Sequence, residues 1–159
     1  MSIMDAQRLK NVASETAREV FDTMLSMPVE LVDDVPEGFF NGDKIVGSVS
    51  FTGEAMGCSR ICVNGDFARE MTCAMLGMEP EEIEGDEEVY DVIGEVSNMI
   101  GGGVKSHLCD MGFPCELSIP NITSGGNFKI ETREWSWHER CCFRYLDYIA
   151  MVEIFIKPK

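Results

Sequence analysis

Asp91, Glu95, Asn98 and Gly102 recur in the stretch DVIGEVSNMIGGG at residues 91–103. At ~100° per residue, that spacing stacks two carboxylates, a carboxamide and a glycine on one helix face. Val92, Ile93, Val96, Met99 and Ile100 keep helical spacing on the other side and read as the buried stripe. The polar row is therefore expected to meet water. One carboxylate and one amide a turn apart serve a metal poorly, because hard cations take many oxygen ligands. Nucleophilic catalysis lacks a Ser, Cys or Lys with a visible base partner. An amide can instead orient a water by hydrogen bonding. That suits an electrophile that is already reactive and brings its own metal, such as an acyl phosphate on another protein.

The plain alternative is a solvated helix face, since Glu is a good helix former. Two features count against it. Asn is mediocre inside a helix because its amide competes for backbone groups. Gly101, Gly102 and Gly103 each cost the helix ~1 kcal/mol relative to Ala. Such a run reads as close backbone approach or a helix end, and Gly102 in the exposed row would give another protein clearance beside Asn98. Lys105 lies near the same row and is a candidate docking cation.

The helix that carries the row is expected to begin after an acidic linker over 79–88 and to continue to about Met111. Carboxylates at its start favour the positive end of the helix dipole. Before it, residues 5–26 read as an amphipathic helix with Leu9, Val12, Ala13, Thr16, Ala17, Val20 and Met24 inward, stopped by Pro28. Residues 29–33 read as a short strand. Residues 44–52 alternate, with Ile45, Gly47, Val49 and Phe51 on one face, and pair through a turn at 53–57 with a strand at 58–64. Asp66 is positioned to N-cap a helix over 67–76 that Gly77 ends. Strands are expected at 115–119, 128–134, 138–146 and 148–157, the last two forming a hairpin around Asp147. Helices and strands mix without strict βαβ alternation. This predicts an α+β fold, a mostly antiparallel sheet with about three helices packed on it.

The chain has 159 residues, which suits one domain spanning 1–159. A net charge of -15 argues against a nucleic-acid partner and against an anionic membrane surface, both of which need clustered Lys and Arg. No apolar run approaches the ~20 residues of a membrane span, and no signal peptide is visible. The seven cysteines form no CxxC pair and read as free, mostly buried thiols of a cytoplasmic protein. Zinc held by Cys58, Cys62, His107 or His138 is disfavoured beside that reading, and His138 reads as structural. Trp135 and Trp137 fall on one face of a strand and suit a core or an interface.

An internal repeat is also visible. Asn11, Glu15, Arg18 and Asp22 on the first helix have the spacing of Asp91, Glu95, Asn98 and Gly102. Each helix is followed by Pro-x-Glu-Leu, at Pro28–Leu31 and at Pro114–Leu117. The separation between row and Pro-x-Glu-Leu differs by six residues, so the second copy needs an insertion.

These residues carry a family resemblance. The signature of the CheC/CheX/FliY chemotaxis phosphatases is an acidic residue or serine, a Glu, an Asn and a later proline. Asp91, Glu95, Asn98 and Pro120 resemble it. Residues 46–53, Met75-Leu76-Gly77 and Asn98-Met99-Ile100-Gly101-Gly102 extend the likeness over most of the chain. The resemblance implies hydrolysis of the aspartyl-phosphate of a CheY-like response regulator. Asn98 would position the water and Glu95 would salt-bridge a regulator lysine, with Asp91, Gly102 and Lys105 in the docking face. It implies no cofactor in this chain, since the Mg2+ belongs to the regulator. It also implies a homodimer joined through sheet edges and a single site of the CheX kind, because Arg18 replaces the amide on the first helix and has no acceptor with which to hold water. The alternatives are a CheX-like docking module without turnover and a dimeric scaffold.

Overall fold

The computed structural model describes residues 6–126 and 137–158. The strand predicted over 128–134 and Trp135 lie outside them. In chain order the elements are α1 (Ala6–Met24), β1 (Glu30–Val32), β2 (Asp43–Gly53), β3 (Ala55–Asn64) and α2 (Gly65–Leu76). A 3-10 turn at Pro80–Glu82 leads into α3 (Asp86–Asp110). Then follow β4 (Cys115–Leu117), β5 (Asn121–Gly126), β6 (Trp137–Tyr145) and β7 (Tyr148–Pro158). All strand pairs are antiparallel. The α+β class read from the sequence holds.

The sheet order is β1-β6-β7-β3-β2-β4, with β5 also paired to β2. Read from either edge, the path is a short strand, a hairpin, a second hairpin and a short strand. The registers repeat this symmetry. Leu31 of β1 faces Phe143 of β6, and Leu117 of β4 faces Phe51 of β2. The two Pro-x-Glu-Leu segments therefore supply the two short flanking strands. The helices match as well: Leu9, Val12, Ala13, Thr16 and Val20 are buried on α1, as are Val89, Val92, Ile93, Val96 and Ile100 on α3. At 25 residues against 19, α3 absorbs the insertion.

One sheet face carries the three helices. Phe21, Phe67, Phe143, Ile93 and Ile100 are buried between the layers, and the Phe67 ring stacks on Phe21 at 6.0 Å and on Tyr148 at 5.0 Å. Phe21 extends the inner stripe of α1, whereas Met24, expected inside, is 49% exposed. The helix ends there, so Met24 has left the buried row. On the other sheet face, Cys62, Cys142 and Met151 are covered by Val35, Phe39 and Phe40 from the segment after β1. Beside them Glu153 is fully buried among Arg60, His138 and Arg140.

Three local expectations change. The N-cap of α2 is Asn64, whose side chain accepts from the Phe67 amide at 2.7 Å, and Asp66 sits in the first turn. Gly77 ends that helix with φ 64°, as expected. The strand predicted over 115–119 stops at Leu117, and Ile119 is 82% exposed. β5 was not foreseen: Asn-Ile-Thr-Ser-Gly-Gly has no alternating apolar pattern, and pairing to β2 alone makes it a strand.

Candidate functional site

α3 lies on β2 because small residues let the two backbones approach. A Cβ on Gly47 of β2 would run into Ser97 and Ile93 of α3. A Cβ on Gly101 would run into Val49 of β2, and one on Gly103 into Thr16 of α1. The glycine run is therefore mainly a packing device of the interior. Gly102 alone among the three has open space where a side chain would stand, and it keeps the place in the polar row that the sequence assigned.

That row is solvent-facing. Asp91, Glu95 and Asn98 are exposed and Gly102 is partly exposed, while Val92, Ile93, Val96 and Ile100 behind them are buried and Met99 is partly so. Neither Glu95 nor Asn98 makes a side-chain hydrogen bond or ion pair among the described residues. As i and i+3 neighbours they project from adjacent turns, with Cβ atoms ~5–6 Å apart. Unpartnered, both keep their full hydrogen-bonding capacity: Glu95 two acceptor oxygens, Asn98 a carbonyl acceptor and an amide donor.

The structure brings Pro120 to the same helix. A Cβ on Gly94 would lie 3.7 Å from the Pro120 ring and 3.7 Å from Ile122. Gly94 is one turn before Asn98, so the segment after β4 braces α3 beside the polar row. Tyr90 adds a tie to β5 through its hydroxyl, 2.8 Å from Ser124 Oγ.

Lys105, the candidate docking cation, is partly exposed and pairs with a carboxylate of β4. Its Nζ lies 3.6 Å from Glu116 Oε2 of β4 and its side chain is 33% exposed. The pair spans two elements at the surface, where such pairs contribute little stability. Lys105 thus lies one turn beyond Gly102 on α3, with its ammonium near β4.

On α1 the matching row is also exposed. Glu15 stands where Glu95 stands, Arg18 where Asn98 stands and Asp22 where Gly102 stands. Arg18, Glu19, Asp22, Pro28 and Val29 line a cleft of about 440 Å³. This is larger than the cleft of about 250 Å³ beside the α3 row, yet no amide side chain lines it.

What sequence reasoning missed is the ground beside Glu95. Met75 and Leu76 at the end of α2 form a shallow cleft with Val92 and the acidic row of α3. The available signal was an apolar pair just before the Gly77 stop.

His138 is structural. Its ring stacks on Phe155 at 4.3 Å, and its Nε2 hydrogen-bonds Glu153 at 2.9 Å, on the sheet face away from α3. Trp137 packs against the main core. All seven cysteines are free and four of them are buried.

Fold and site together define an α+β protein that presents a Glu/Asn pair from one of two related helices on a pseudo-symmetric antiparallel sheet. The family profile described as "Chemotaxis phosphatase CheX" matches residues 45–143, from β2 through β6. The chain belongs to the CheX family. Its fold is similar to that of the chemotaxis protein CheX from Vibrio vulnificus, at 26% identity and a TM-score of 0.79, over 97% of this chain and 99% of that one. A CheC-like superfamily protein from Shewanella sp. PV-4 is similar at 26% identity and a TM-score of 0.80, again over 97% and 99%. The fold is also shared with the CheX-CheY-BeF3-Mg complex from Borrelia burgdorferi, at 21% identity and a TM-score of 0.76, over 96% of this chain and 98% of that one. No curated protein sequence matches the chain. Among the described residues, no helix is long and apolar enough to cross a membrane.

Proposed function

We propose that this protein hydrolyses the aspartyl-phosphate of a CheY-like response regulator, with Asn98 and Glu95 as the working pair. The observation that carries the reading is the open pairing of Glu95 and Asn98 on the solvent face of α3, both without side-chain partners among the described residues. Family membership gives the reaction class, and the solved complex of a CheX with CheY and Mg2+ supports a partner of that kind.

The chemistry follows from what an amide can do. Asn98 Oδ1 accepts a hydrogen bond from a water, and its Nδ2 donates to a phosphoryl oxygen. The water is then held in line with the bond to be broken. Its oxygen attacks phosphorus, the P–O bond to the aspartyl carboxyl breaks, and the bonding pair leaves with the carboxylate. Asn98 cannot take the proton, which departs with the inorganic phosphate. The gain comes from orientation. Mg2+ on the regulator neutralises the charge on the phosphoryl oxygens. Glu95 pairs with a regulator lysine, which docks the partner and draws that cation from the phosphoryl group.

The test follows phosphate loss from a phosphorylated CheY-like protein, alone, with this protein and with its Asn98→Ala variant. Acceleration by the wild type, lost by on the order of 10²-fold in the variant, is the expected result. Equal decay in all three mixtures would leave the docking-module reading in its place. The Glu95→Ala variant should weaken binding as well as turnover.

A further inference from the structure

The end of α2 and the first half of α3 enclose a shallow cleft of about 250 Å³, lined by Met75, Leu76, Glu88, Asp91, Val92 and Glu95. Its floor is apolar. Leu76 is 49% exposed there, at the last position of α2 before Gly77 turns the chain away. Its wall is acidic: Glu88, Asp91 and Glu95 follow one another along one stripe of α3. Asp91 and Glu95 have no side-chain partner among the described residues, and Glu88 only accepts from the Glu84 amide at 3.0 Å. Among the described residues, no cation pairs with the wall.

A single exposed leucine is ordinary. This one differs because it sits in a concavity whose wall includes Glu95, so the cleft is continuous with the Glu95/Asn98 pair. We infer that the cleft is the specificity pocket for the response regulator. It takes one aliphatic or aromatic side chain on Met75, Leu76 and Val92, with a flanking lysine or arginine of the regulator against Glu88 and Asp91. The inference rests on the proposed phosphatase reading for its partner. Charge complementarity selects the occupant: an apolar side chain in an acidic neighbourhood is discouraged, whereas one beside a cation gains both contacts. Because the pocket lies beside the reacting centre and not at it, it grips the substrate and transition states alike. It should act on KM and leave kcat alone.

The experiment measures steady-state hydrolysis of a phosphorylated CheY-like protein by the wild type, Leu76→Gln, Leu76→Met and Asn98→Ala. Leu76→Gln should raise KM about tenfold with kcat within about twofold, as loss of one buried aliphatic contact implies. Leu76→Met should keep the wild-type KM. Thermal melting should be the same for all, since Leu76 is half exposed. Wild-type KM in Leu76→Gln, or a loss confined to kcat, overturns the pocket while activity lost in Asn98→Ala keeps the phosphatase reading. If the wild type itself does not accelerate decay, that reading fails. The pocket is then judged by titration with the beryllofluoride-charged regulator. Weaker binding by Leu76→Gln supports it, and equal or absent binding overturns it.

Discussion

Arg18 stands on α1 where Asn98 stands on α3, on two helices that the strand order and the Leu31/Phe143 and Leu117/Phe51 registers relate to each other. Both positions are solvent-facing, and each is preceded one turn earlier by an exposed glutamate, Glu15 or Glu95. The backbone thus offers two platforms, and the side chain at one position decides which can hold water. Arg donates only, so it cannot accept from a water in the way an amide carbonyl does. Arg18→Ala is expected to leave hydrolysis unchanged. In an Asn98→Ala background, Arg18→Asn should bring phosphate release above that of Asn98→Ala alone, because it recreates a Glu/Asn pair on a matching helix. Release of inorganic phosphate from the phosphorylated regulator reads both outcomes.

The glycine run of α3 separates packing from docking. Gly101→Ala places a methyl against Val49, so it should destabilise the protein by about 1–3 kcal/mol, as overpacked cores do. Gly102→Ala meets nothing within 4 Å and removes a flexible residue from a helix, so it should stabilise by up to ~1 kcal/mol. Urea unfolding of the two variants should therefore move in opposite directions. If Gly102 gives clearance to a docked regulator, the more stable variant will also show the lower kcat/KM.

The sequence made most of this architecture legible because its helices and hairpins are strongly periodic. Ile45, Gly47, Val49 and Phe51 alternate, and all four are buried against the helices. The row from Asp91 to Asn98 and the stripe behind it could be placed by angle alone. What failed lacked such a local signal. β5 is exposed along almost its whole length, so no burial pattern marks it, and its pairing with residues 43–48 of β2 is a tertiary fact. The role of Gly101 depends on Val49, far away in the chain. The Lys105–Glu116 pair depends on where β4 returns. Asn64 serves at once as the last residue of β3 and the cap of α2, a junction that Asp66 obscured.

The polar cluster on the outer sheet face should matter to stability and not to chemistry. Glu153 is fully buried, with Arg60 Nε at 3.1 Å, His138 Nε2 at 2.9 Å and Arg140 Nε at 3.5 Å. The Arg60 guanidinium also lies over the Phe155 ring at 4.5 Å, and its buried Nη2 has no hydrogen-bond partner. Removing the carboxylate strands the Arg60 guanidinium and takes a partner from Arg140 and His138. Glu153→Ala is expected to cost about 3–5 kcal/mol, the usual result of breaking a buried pair from one side. Where the variant remains folded, its kcat should match the wild type, since α3 packs on the opposite face. Chemical denaturation and phosphate release at low temperature test the two halves separately.

Burial also sets the alkaline limit of the fold. The thiols of Cys62, Cys141 and Cys142 are pushed up from 9.0 to about 11, in each case chiefly because burial disfavours the thiolate. A raised value in the folded state means that folding holds the proton. The associated stability is complete below pH 9 and is lost as pH climbs through about 11. Under reducing conditions the urea midpoint should accordingly hold steady to about pH 9 and fall across the next two units. Replacing Cys62 and Cys142 together by Ala should make that fall shallower, and an unchanged slope would count against burial of these thiols as its source. At neutral pH the same burial should keep these three thiols slow toward a thiol reagent, while exposed Cys109 reacts first.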